Sequence, residues 1–145
     1  MAAVRWAPGE CPLSVSAASY GLRMATADDV RRLALSLPGA MEKLAWGMPT
    51  FRLESGGRIF ASLDDDDKVM GVKCPKGDRE ELIAAEPEKF FIRAGHDDNF
   101  AWLRVRLAAL EDEEELFAIL VDSWRQAAPR KLQDAHPELV GPRTP

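Results

Sequence analysis

The chain has 145 residues, a formal net charge of −5, and 46% hydrophobic against 30% charged residues. That size and balance fit one globular domain with its own core, needing no disulfide or metal to hold it. The acidic balance argues against a protein that coats nucleic acid through bulk charge, but leaves room for a local basic face.

Two cysteines, Cys11 and Cys74, with no CxxC and no Cys/His cluster, give neither a disulfide framework nor a zinc signature. No apolar run reaches the length of a membrane span. The expected location is the cytoplasm, with no membrane partner.

Residues 1–23 are rich in Ala, Ser, Pro and Gly. They are expected to be a disordered extension, or to precede a start at Met24. Thr26 is a good helix N-cap, with Asp28 and Asp29 favoured by the dipole in the first turn. Val30, Leu33, Ala34 and Leu37 follow at helical spacing, and Pro38-Gly39 stops the helix, which is expected over about 27–37.

Pro49 to Glu54 and Arg58 to Leu63, joined by Ser55-Gly56-Gly57, predict a hairpin. Asp64 to Asp67 reads as a solvated acidic turn, and Lys68 to Lys73 as a third strand of an antiparallel meander. Asp78 and Glu81 suggest a capping box for a helix ending near Glu86. Phe90 to Arg93 predicts a fourth strand, and Phe100 to Leu107 the most clearly alternating one. Asp112 and Glu115 open the last helix, whose stripe is Leu116, Ile119, Leu120, Trp124 and Ala127. The expected fold is α+β, with order α-β3-α-β2-α. It has a five-stranded, largely antiparallel sheet and helices on one face. The domain is expected over 24–132, followed by a flexible tail over 133–145.

Strand side chains alternate between faces. Ala101, Leu103, Val105 and Leu107 should meet the helices, as should Phe51, Leu53, Ile59, Ala61 and Leu63. The other face would then present Arg52, Arg58, Arg104 and Arg106 around Phe60 and Trp102, with Lys73 joining in suitable register. Arginines among aromatic rings suit an anionic partner with planar groups, because guanidinium forks onto phosphate and rings stack on bases. The plainer alternative is surface pairing with neighbouring carboxylates, each pair contributing about 0–1 kcal/mol.

Several blocks resemble the MmcQ/YjbR-like family. They are Trp46-Gly47-Met48-Pro49-Thr50-Phe51-Arg52, the stretch from Phe90-Phe91 to Trp102-Leu103 and Val105-Arg106-Leu107, and Asp122-Ser123-Trp124-Arg125 through Leu132. Leu37-Pro38-Gly39-Ala40 also matches. The resemblance implies an α-β3-α-β2-α fold related to type III secretion chaperones, sometimes called a double wing. It also implies a DNA-binding label that rests on fold analogy, and no catalytic residues. The chain departs from that label in charge: residues 24–132 hold 16 Lys/Arg and 21 Asp/Glu.

No GxSxG, GxxxxGK[ST] or GxGxxG is present. His96-Asp97-Asp98 is a lone His/carboxylate cluster, short of a metal set, in a polar loop that can rim a site beside Trp102. Trp46, oriented by Pro49, is either a core anchor or a pocket wall. The leading expectation is a non-enzymatic, cofactor-free module binding DNA or another anionic ligand. Its site residues would be Arg52, Arg58, Lys73, Trp102, Arg104 and Arg106, rimmed by Trp46 and His96. The alternative is a protein-interaction or chaperone-like module, for a protein partner or a second copy of itself.

Overall fold

The structure is a computed structural model, and it describes residues 25–140 other than Ser55, Asp65 and Asp66. The expected extension over 1–23 lies outside the described residues.

Helix α1, Ala27–Leu35, starts on a reciprocal cap: Thr26 accepts from the Asp29 N–H, and Asp29 accepts from the Thr26 N–H. Four strands follow as an antiparallel meander: β1 Ala40–Ala45, β2 Met48–Leu53, β3 Ile59–Asp64 and β4 Val69–Lys73. Helix α2, Lys76–Ala85, leads to the short β5, Phe90–Phe91, and then β6, Trp102–Arg106. The last long helix is α3, Glu113–Ala127, capped by Asp112. Two short helices, α4 Arg130–Asp134 and α5 Pro137–Val140, close the described chain.

Among the described residues the sheet has six strands in the order β1-β2-β3-β4-β6-β5, all antiparallel, against an expectation of five. The added strand is β1. Its residues Ala-Met-Glu-Lys-Leu-Ala are mostly strong helix formers, so local preference hides it. Helix α2 begins two residues before Asp78, with Pro75 at the N-cap and no side-chain cap, so the proposed capping box does not form. Of the tail expected over 133–145, residues 137–140 form α5, and Leu139 and Val140 pack against the core, while 141–145 lie outside the described residues. Prolines and polar residues between these apolar ones break the stripe that would have revealed them.

One face of the sheet meets the helices. Phe51, Leu53, Ala61, Leu63, Leu103 and Val105 are buried there against Leu116, Leu120 and Trp124 of α3 and Val30 and Ala34 of α1. Trp124 is fully buried, and its indole N–H donates to the Pro38 carbonyl at 2.9 Å.

The hairpin departs from simple alternation at one point. Phe51 faces Ala61, but Arg52 faces Ile59, so Phe60 is the extra residue of a β-bulge. The bulge turns Phe60 into the core and leaves Ile59 outside it, reversing the expected faces of both. The Phe60 carbonyl accepts instead from the buried Ser123 hydroxyl, which also accepts from the Lys73 N–H at 2.9 Å. Gln126 donates to the Lys73 carbonyl. Helix α3 thus holds the backbone of Lys73 from behind the sheet.

Candidate ligand groove

On the outer face, cross-strand register sets Thr50, Ser62, Gly71 and Arg104 in one row. Three of these are small, so the row is a trough. The Trp102 indole lies across it. A Cβ at Gly71 would stand 2.5 Å from Trp102 Nε1 and 2.7 Å from both Trp102 Cζ2 and Ser62 Oγ. Only glycine lets the ring lie so close to β4.

The centre of this face is not open, contrary to the expected surface. The loop between β5 and β6 folds back over it. Its Asp97 is buried and forks onto Arg104, with Oδ2 2.9 Å from Nε and Oδ1 3.0 Å from Nη2. Arg104 Nη1 donates to Asp64, which is also buried and ends β3 rather than opening a solvated turn. Arg93 lies 4.0 Å from Asp64 and donates its backbone N–H to Asp97. From below, buried Arg79 of α2 sets Nη1 3.1, 2.7 and 2.9 Å from the carbonyl oxygens of Asp97, Phe100 and Trp102. Burial opposes the charge of Asp97, but the Arg104 guanidinium, the Arg93 N–H and His96 hold its carboxyl well below the usual range.

The trough and the loop enclose a groove of about 840 Å³, a size ordinary for small-ligand sites. Trp46 and Met48 stand at its β1–β2 end, and Phe100 and Trp102 at its loop end. Trp46 is 84% exposed and Phe100 60% exposed. Trp46 is held out by a two-residue turn in which both Trp46 (φ 51°) and Gly47 (φ 78°) are left-handed. Glycine adopts that geometry freely, while a bulky residue is strained in it.

The expected site residues divide sharply. Arg58, Lys73, Trp102, Trp46 and His96 line the groove. Arg58 is exposed, and neither its guanidinium nor the Lys73 ammonium has a carboxylate partner among the described residues. Arg104 also lines the groove, but it is buried and committed to Asp64 and Asp97, so it is no free anion contact. Arg52 stands on the same face outside the lining, braced by the Thr50 hydroxyl. Arg106 lies away from the groove, 4.1 Å over the Phe91 ring, and donates to the Pro87 and Glu88 carbonyls. Trp46 is not a core anchor. Sequence reasoning missed Arg79, Thr50, Ser62 and Gly71, whose roles depend on register and on a fold-back of the chain. Phe100, expected as the start of a strand, lines the groove from the loop before β6.

Cys74 is buried, and burial with nearby Asp78 and Asp122 pushes its thiol up to about 11, which keeps it protonated at neutral pH. Among the described residues, no group of three or more His, Cys, Asp and Glu could hold a metal ion. No helix among them is long and apolar enough to cross a membrane.

The family model described as YjbR matches residues 35–126. The chain belongs to the YjbR family. That match runs from the last residue of α1 into α3, so the YjbR domain includes all six strands and every residue lining the groove. Among solved structures, the chain is similar to Deinococcus radiodurans protein DR2400, whose crystal structure shows a DUF419 domain. The TM-score is 0.62 and the identity 23%, over 82% of this chain and 91% of that one. At that identity the likeness speaks for the fold alone. No curated protein matches the chain.

Proposed function

We propose that this YjbR-family chain is a non-enzymatic binding module whose outer-face groove takes nucleic acid. One observation carries the reading. Two cationic side chains of the groove lining, Arg58 and Lys73, have no carboxylate partner among the described residues, and they stand beside exposed rings in a chain of net charge −5. Arg104 is balanced by Asp64 and Asp97, so Arg58 and Lys73 supply the groove's free positive charge. Phosphate oxygens suit Arg58 and Lys73, and bases suit Trp46, Phe100 and Trp102. A cytoplasmic location belongs to the same proposal.

With Arg104 and Arg106 engaged elsewhere and Arg52 outside the lining, two free cations remain in the groove. At roughly −0.7 per phosphate on a single strand, the slope of log affinity against log salt is about −1.4, shallower than four arginines would give. Titrating labelled DNA at low and moderate salt tests this. No binding at micromolar protein in low salt would overturn the reading.

A second reading, self-association, is favoured by β1 being the outermost strand of the sheet among the described residues, with Leu44 70% exposed. Solution mass decides it, and a strict monomer would remove it.

A further inference from the structure

The groove also points to which form of nucleic acid it accepts, an inference that rests on the reading above. A ring can stack only on a base whose face is uncovered, and in a duplex the neighbouring pairs cover it. Two free cations on an acidic chain add little general attraction to a duplex, whose charge is dense and whose binding is dominated by phosphate contacts. Aromatic surface is what this groove has in excess. Trp46 is almost wholly exposed at a backbone angle that disfavours bulky side chains, so folding gains little from the ring in that place. Phe100 is exposed and lines the same groove, and Trp102 sets its indole edge against Gly71 on the outer face rather than in the core. Arg79, Asp97 and Arg104 hold the loop that carries Phe100 and leads into Trp102, so that end of the groove is set before a ligand arrives. The same loop stands above the sheet, so a stiff duplex laid across this face would have to clear it, while a flexible strand can enter the trough.

We propose that the groove binds single-stranded nucleic acid, stacking unpaired bases on Trp46 and Trp102 while Arg58 and Lys73 hold the adjoining phosphates. Specificity for the strand over the duplex then comes from the rings, and the two cations set position and salt dependence.

The test is fluorescence anisotropy of the full chain with a labelled ten-residue oligothymidylate and a labelled duplex of mixed sequence, at low salt. Trp46→Ala and Trp46→Phe are compared with the wild type, and thermal melts confirm that each is folded. The single strand is expected to bind at least ten-fold more tightly than the duplex. Trp46→Ala should weaken the single strand by about five-fold or more, and Trp46→Phe by much less, since a base stacked on a ring contributes about 1–3 kcal/mol. Equal or tighter duplex binding, or an unchanged affinity in Trp46→Ala, would overturn the inference while leaving nucleic-acid binding in place. Absence of binding to both probes at micromolar protein would overturn this inference together with the reading it rests on.

Discussion

On the inner face of the sheet, Phe51, Phe60, Leu103 and Trp124 exclude water by packing hydrocarbon against hydrocarbon. On the outer face, the row Thr50, Ser62, Gly71 and Arg104 is covered by one indole and by a loop that charged hydrogen bonds hold down. Hydrophobic packing is non-directional and tolerates changes that conserve volume. The loop clamp is directional: removing one partner leaves another buried and unpaired. Stability should therefore follow the inner face and the shape of the groove the outer one, and substitutions can separate them.

The largest effect is expected at Trp124. Trp124→Ala empties a fully buried site and leaves the Pro38 carbonyl without its donor, at a cost of about 4 kcal/mol. Urea unfolding measures it, and both faces should be lost in one transition. Asp97→Asn comes next, at about 3 kcal/mol, because it leaves the buried Arg104 without half of its charge partners. Here the comparison sharpens. Limited proteolysis should cut within residues 93–101 under conditions where the variant's helices remain folded. A loop no more cleavable than the wild type's would show that Asp97 does not fasten it.

The same pair predicts a pH dependence. The folded-state pKa of Asp97 is depressed, so its contribution is complete above the unfolded carboxylate value, near pH 4, and is lost as pH falls from there toward the folded value. The stability gap between wild type and Asp97→Asn should be constant from about pH 5 to 7 and should narrow steadily below about pH 4. Urea midpoints across that range measure it, and a gap unchanged at low pH would contradict an ionised Asp97.

What was legible in the sequence follows the same division. Alternation in β6 and the helical stripe in α3 placed Leu103, Val105, Leu116 and Trp124 correctly, because burial leaves a periodic trace. Strand β1 left none, since its residues favour helix and only pairing with β2 makes it a strand. The bulge at Phe60 shifted the pattern by one residue and inverted two assignments. The outer face was the least legible. Asp97 and Asp64 meet Arg104 from seven and forty residues away, and no local spacing encodes that meeting. The trough exists only once register brings Thr50, Ser62 and Gly71 side by side.

Gly71→Ala probes the trough directly. The added Cβ falls under 3.0 Å from both the Trp102 ring and Ser62 Oγ, so the indole must lift, at a cost of about 2 kcal/mol. Urea unfolding gives the cost, and a changed near-ultraviolet circular dichroism spectrum at native pH would report the displaced ring. An unchanged spectrum with wild-type stability would mean that the strand yields instead.

The smallest effect is expected at Trp46, and its sign should be opposite. Asparagine adopts left-handed backbone angles more readily than tryptophan, and an 84% exposed ring gives up little burial when removed. Trp46→Asn should therefore raise stability by about 1 kcal/mol, the lower end of the strain such residues carry. Urea unfolding checks this, and a loss of stability would show that the ring is supported by packing. A gain in stability coupled to weaker ligand binding would mean that this position is kept strained for the groove rather than for the fold. Binding left intact in the stabilised variant would overturn the inference that the groove stacks unpaired bases on Trp46.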